Sequence, residues 1–80
     1  MELQAVEQLI KQGFSEAEVQ VSGDGCNLEA TVISPEFAGL TRIKQHRMVQ
    51  DAVKHLITSG ELHALSINTY TPEAWAAKQG

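Results

Sequence analysis

The chain has 80 residues, with six Lys or Arg against ten Asp or Glu, giving a formal net charge of −4 with three histidines besides. With 42% apolar residues it has the composition of a globular chain and not of a disordered one. A chain of this length is expected to form one domain over residues 1–80, with a thin core that buries roughly 60–65% of its unfolded surface. Little volume remains for a deep, water-excluding active site, so no self-contained enzyme is expected. The single cysteine, Cys26, excludes an internal disulfide, and a mononuclear zinc site would need three further ligands. The longest apolar run, Ala74-Trp75-Ala76-Ala77, falls far short of the ~20 residues of a membrane span. Met1-Glu2-Leu3-Gln4 lacks the basic start and apolar stretch of a signal peptide. The expectation is a cytoplasmic protein without membrane contact.

From Glu2 to Gln12, Leu3, Val6, Leu9 and Ile10 recur at helical spacing, and Gly13 follows where a helix would stop. Val19 and Val21 then alternate with Glu18, Gln20 and Ser22, the pattern of a half-buried strand. Gly23-Asp24-Gly25 signals a turn, and Leu28, Ala30 and Val32 alternate with Asn27, Glu29 and Thr31 beyond it. The two runs predict a β-hairpin. Ser34-Pro35-Glu36 ends the second strand and starts a short helical turn, with Ser34 as N-cap and Pro35 in the first position.

Thr41 caps a longer predicted helix, Arg42–Ser59, which Gly60 closes. Its apolar stripe, about 140° wide, holds Ile43, Val49, Val53, Leu56 and Ile57, with His46 inside it. Lys44, Arg47, Asp51, Lys54 and His55 fall outside, toward water. A third strand is predicted from Leu62 to Thr69, with Leu65 and Ile67 on one face and Ala64, Ser66 and Asn68 on the other. Thr71-Pro72-Glu73 then starts a final short helix that carries Trp75. The order is α-β-β-α-β-α, an α+β two-layer fold whose three-stranded mixed sheet is packed by helices on one face.

Element lengths place the chemistry. A second strand of about nine residues runs roughly 30 Å, and the eighteen-residue helix returns roughly 27 Å in the opposite direction. The third strand must therefore start beside the start of the second and run parallel to it, through a right-handed crossover. Cys26 opens the second strand and His63 the third, so both are expected at one rim of the sheet. A soft sulfur donor and an imidazole suit iron–sulfur clusters, zinc or copper, and two ligands alone leave any metal dependent on a partner chain or a small thiol. Against this stand simpler assignments: Cys26 as a small inert half-buried residue, and His63 on the parity of Leu65 and Ile67.

The other candidates are weaker. His46 and His55 are nine positions apart on the helix and face opposite ways; His46 is expected at the core edge with a hydrogen-bond partner, and His55 in solvent. Arg42, Lys44, Arg47 and Lys54 concentrate positive charge on the long helix, which permits phosphate contact but equally describes a solvated face. Phe14, Phe37 and Trp75 read as core or end-packing residues, and Tyr70 has no assignment. No Gly-x-Ser-x-Gly elbow occurs, and a Cys26–His63 nucleophile and base would lack an orienting group and an oxyanion site.

Gly23-Asp24-Gly25-Cys26, Phe37-Ala38-Gly39, His46-Arg47-Met48-Val49, and Leu62-His63-Ala64-Leu65-Ser66-Ile67 running into Tyr70-Thr71-Pro72-Glu73-Ala74-Trp75 together resemble the BolA family, nearest to its short bacterial IbaG-type members. The resemblance spans nearly the whole chain in order. It implies a fold like class II KH domains and partnership with monothiol glutaredoxins in iron–sulfur cluster handling and iron homeostasis. In such heterodimers the glutaredoxin cysteine and glutathione hold one side of a [2Fe–2S] cluster. The family's C-terminal-half histidine, which corresponds to His63, supplies a ligand from the BolA-like side. A Cys or His between the first two strands, corresponding to Cys26, can supply another. Many IbaG-type proteins carry Ser-His after Gly-Asp-Gly where this chain has Cys26-Asn27, so the donor changes type and moves one position. No cluster is expected in the isolated protein. The alternative implied function is a nucleic-acid-binding regulator using Arg42, Lys44, Arg47 and Lys54, although Phe37-Ala38-Gly39-Leu40 is not the Gly-x-x-Gly clamp of RNA-binding KH domains.

Overall fold

A computed structural model describes residues 3–24, 27–62 and 64–79. In chain order these form α1 (Leu3–Gln12), β1 (Glu18–Asp24), β2 (Asn27–Ile33), a single 3-10 turn (Pro35–Phe37), α2 (Arg42–Ser59), β3 (Ala64–Tyr70) and α3 (Pro72–Gln79). The sheet order is β1-β2-β3, with β1 antiparallel to β2 and β3 parallel to it. The expected three-stranded mixed sheet and parallel return through α2 are both present.

Strand alternation decides which face is covered. Leu28, Ala30 and Val32 of β2 are buried against Val6 and Ile10 of α1 and Val49, Val53 and Leu56 of α2. Glu29, Gln20 and Ser66 on the opposite face are exposed. Ile33 departs from this rule: it has outer-face parity yet is only 5% exposed, because Pro72 and Trp75 of α3 share a cleft with it. Thus α1 and α2 form the covering layer, and α3 closes the far end of the sheet.

Local chemistry sets the boundaries. Thr41 Oγ1 accepts from Lys44 N–H at 3.2 Å, and Gly60 adopts φ 84° and donates to the Ile57 carbonyl at 3.2 Å, so both ends of α2 stop as expected. The hairpin differs from its prediction. Gly23 and Asp24 continue the ladder, paired with Leu28 and Asn27, instead of forming the turn. Gly23 has φ 130°, and a Cβ there would meet the Asn27 carbonyl and stand 2.9 Å from Leu28 Cα, so only glycine fits. Turn-type residues can sit inside a ladder when the backbone approach is this close.

The α2 stripe also narrows. Val49, Val53 and Leu56 are buried, whereas Ile43 and Ile57 are 68% and 42% exposed. The sheet beneath the helix is three strands wide, and residues at the edges of the predicted stripe project beyond it. Half-buried Gln45 fills part of this interface: its amide donates to the Phe37 and Leu40 carbonyls, both at 3.1 Å, and accepts from Thr69 Oγ1 at 2.6 Å.

Candidate functional site

The parallel register pairs Asn27 with Ala64, Leu28 with Leu65, and continues to Ile33 with Tyr70. Both strands therefore enter the sheet at one rim and leave it at the other. Cys26 and His63, the two expected metal donors, lie outside the described residues. Each directly precedes, in sequence, one member of the first register pair. Beneath this rim Leu62 is 1% exposed, and its N–H donates to the Leu56 carbonyl at 3.1 Å, seating the chain on the end of α2 just before β3. Among the described residues no three His, Cys, Asp or Glu side chains group as a metal site, and no helix is long and apolar enough to cross a membrane.

Polar connections are dense at the opposite rim. Ser34, fully buried, donates from Oγ to the Glu16 carbonyl at 2.7 Å and accepts from Glu36 N–H at 3.1 Å. The Glu36 carboxylate in turn accepts from Ser15 N–H at 3.0 Å and Ser15 Oγ at 3.2 Å. Tyr70, unassigned from sequence, packs against Trp75 with ring centroids 5.1 Å apart and planes tilted by 58°, and its hydroxyl accepts from Lys78 Nζ at 2.6 Å. Phe14 and Phe37 meet edge to face at 5.3 Å inside the core, as expected. Sequence reasoning missed Glu36 and Gln45 as connectors. Ser34 was legible as a cap, but nothing local signals the bond from Ser34 to Glu16, eighteen positions earlier.

The basic residues of α2 divide into two groups. All four are exposed, but Arg42 lines a cavity against β3 with His46, Asn68 and Thr69, on the side of the helix that holds Val49. Lys54 instead borders a shallow groove with Asp51 and Thr58. Lys44, Arg47 and Lys54 thus share a side of α2 that Arg42 does not. His55 is exposed, as expected. His46 is half-buried but makes no hydrogen bond among the described residues, contrary to expectation: the nearby polar groups of Gln45 and Thr69 bond each other instead.

Comparison with known proteins follows the same outline. The sequence pattern of the family described as BolA-like protein matches residues 4–74. The chain is 33% identical to the Acid stress protein IbaG of Escherichia coli K12 over 95% of its own length and 90% of the relative's. It is 36% identical to the DNA-binding transcriptional regulator BolA of Vibrio cholerae over 66% of its own length and 49% of that protein. A BolA homologue from Coxiella burnetii superposes with a TM-score of 0.85 at 38% identity, covering 95% of this chain and 97% of the homologue.

Proposed function

This chain belongs to the BolA-like family, and from that premise we propose that it is a non-enzymatic partner of a monothiol glutaredoxin, sharing or modulating a [2Fe–2S] cluster in iron–sulfur trafficking and iron homeostasis. The observation that carries the reading is the pairing of Asn27 with Ala64. It brings the segments that follow Cys26 and His63 side by side at one rim, while α2 intervenes between them in sequence. A thiolate and a neutral imidazole are donors that iron–sulfur centres accept, and a [2Fe–2S] cluster takes four such ligands. Two from this chain leave two for the glutaredoxin cysteine and glutathione, so the cluster is held between chains. The cluster supplies the redox-active, transferable iron; His63 and Cys26 supply the donors that retain it on this side.

The test is an anaerobic titration into a glutathione-loaded, [2Fe–2S]-bearing monothiol glutaredoxin, followed by visible circular dichroism. The expected result is a saturable spectral change at one-to-one stoichiometry that His63→Ala abolishes while the fold persists. Cys26→Ser is expected to shorten the lifetime of the cluster; equal lifetimes would return Cys26 to a structural part. No spectral change and no complex on a sizing column would overturn the reading.

A second reading, nucleic-acid binding, draws on the exposure of Lys44, Arg47 and Lys54 along one side of α2. It also draws on the name of the Vibrio cholerae relative. Net charge of −4 and the separate orientation of Arg42 weigh against it. Under this reading affinity falls steeply with salt, and the double variant Lys44→Glu, Arg47→Glu abolishes binding.

A further inference from the structure

The sheet ends on β3, which leaves one side of that strand open. The Tyr70 carbonyl accepts from Ser34 N–H at 2.9 Å, so Tyr70 and its parity mates Ser66 and Asn68 turn their backbone groups toward β2. Leu65, Ile67 and Thr69 turn theirs outward, and these N–H and C=O groups have no partner among the described residues. Natural edge strands are ordinarily blunted by charge, proline or a bulge. β1, the other edge, carries Glu18, Asp24 and Gly23 at φ 130°. Ala64–Tyr70 has neither charge nor proline and pairs with β2 without a break.

The helix above this edge is open on the same side. Ala52 faces Gly13 at the end of α1, and Ile43, nine positions earlier and half a turn round, faces away from it. Ile43 and Ile57 are the exposed large apolar side chains among the described residues, and each lies seven positions from exposed Gln50. With His46 and Val53 they follow the alternating three- and four-residue spacing of a helix–helix seam. His46 borders Ile67–Tyr70, and the Leu56 carbonyl accepts from Leu62 N–H. Gln50, between them, is therefore level with the middle of β3.

We propose that this surface binds a second copy of the chain, about a two-fold axis through Ile67 and Gln50. Antiparallel β3 pairing lets Ile67 exchange both backbone bonds with its counterpart, and Leu65 with Thr69 of the second copy. Every outward group is then satisfied and the sheet becomes continuous across the dimer. The same axis sets the two α2 helices antiparallel on one face, Ile43 against Ile57 of the second copy. With strands about 4.8 Å apart, helices lying over β2 and β3 stand roughly 10 Å apart, a packing distance for helices. One axis thus serves both layers, which is why the occupant is a copy of this chain and not an unrelated strand. A face about 27 Å long and roughly 20 Å deep covers roughly 500 Å² per copy. That is close to the smallest total area of a specific interface, so the dimer is weak and reversible. Arg47 and Lys54 border the seam, and the axis brings Arg47 level with Lys54 of the second copy. Screening these like charges strengthens association as salt rises, whereas salt weakens binding of an acidic segment or a nucleic acid.

The proposal is independent of cluster sharing, since neither Cys26 nor His63 takes part. The test is sedimentation equilibrium of the full chain under reducing conditions, paired with amide hydrogen exchange at low and high concentration. The mass is expected to rise from 8.7 kDa toward twice that value with concentration, more readily at high salt. Amides of Leu65, Ile67 and Thr69 should gain protection in step with the dimer, while Ser66 and Asn68, bonded to β2, are protected throughout. Gln50→Glu sets two like charges on the axis and should weaken self-association at least about tenfold. Ile43→Glu, at an exposed position, should do the same with the fold intact by far-ultraviolet circular dichroism. Gln8→Glu, an equal change of charge on the exposed side of α1, should leave it unaltered. A chain that stays monomeric at millimolar concentration would overturn the proposal and leave the edge to a strand of another protein. So would a dimer that tolerates Gln50→Glu or leaves exchange at Leu65, Ile67 and Thr69 unchanged.

Discussion

The two rims of the parallel β2–β3 pair are held by different forces. Where the strands enter, the described residues contribute apolar burial: Leu28, Leu56 and Leu62 are each at most 6% exposed. Where they leave, side-chain hydrogen bonds connect segments far apart in sequence, through Ser34 to Glu16, Glu36 to Ser15, and Gln45 to Thr69. Apolar burial is non-directional and leaves side chains at the rim free for chemistry, whereas directed bonds consume polar groups to fix geometry. The contrast fits the proposed function, in which the entering rim carries exchangeable ligands, while the leaving rim anchors the loops and α3.

Substitutions can break or sharpen this contrast. Leu62→Ala removes a fully buried side chain beside the entering rim and should cost about 3 kcal/mol in urea denaturation. Measured at matched folded fraction, it should also weaken the spectral change with glutaredoxin, because Leu62 immediately precedes His63. Ser34→Ala takes the side-chain partner from the Glu16 carbonyl and the Glu36 N–H, both bonds part-buried, and should cost about 2 kcal/mol; a loss confined to a few tenths would mean that water replaces both bonds. For Gln45→Ala we expect about 1 kcal/mol, read together with faster amide exchange at Leu40 and Thr69 and no change in cluster sharing. The smallest effect belongs to Lys78→Ala, at about 0.5 kcal/mol or less, since its contacts with Tyr70 lie at the surface. If Gln45→Ala disturbed the cluster signal as much as Leu62→Ala at equal stability, the division between the rims would not hold.

Most of the fold is legible in local pattern. Strand alternation at Val19–Val21 and Leu28–Val32, the Thr41 cap and the Gly60 stop each report a single physical requirement, and each is met. What escaped was set by neighbours distant in sequence. Ile43 and Ile57 satisfy helical spacing, but only the width of the sheet decides whether that side of α2 is covered. Gly23 carries a turn residue's signature, and only the approach of the Asn27–Leu28 backbone makes it a ladder residue. At the rim, element lengths alone predict the parallel return that the register then displays. The space beside Arg42 and His46 was not legible either, since it forms only where α2 docks along β3.

The pairing of Asn27 with Ala64 spans the whole of the 3-10 turn and α2. Closing so long a segment costs chain entropy before any contact rewards it, so such a pairing is stabilised only once helix and sheet have docked. Any metal handling assembled at that rim is accordingly a property of the finished molecule. Under the proposed function, a nascent or damaged chain presents a solitary thiol and a solitary imidazole, and maturation of the fold decides when the two donors can act together.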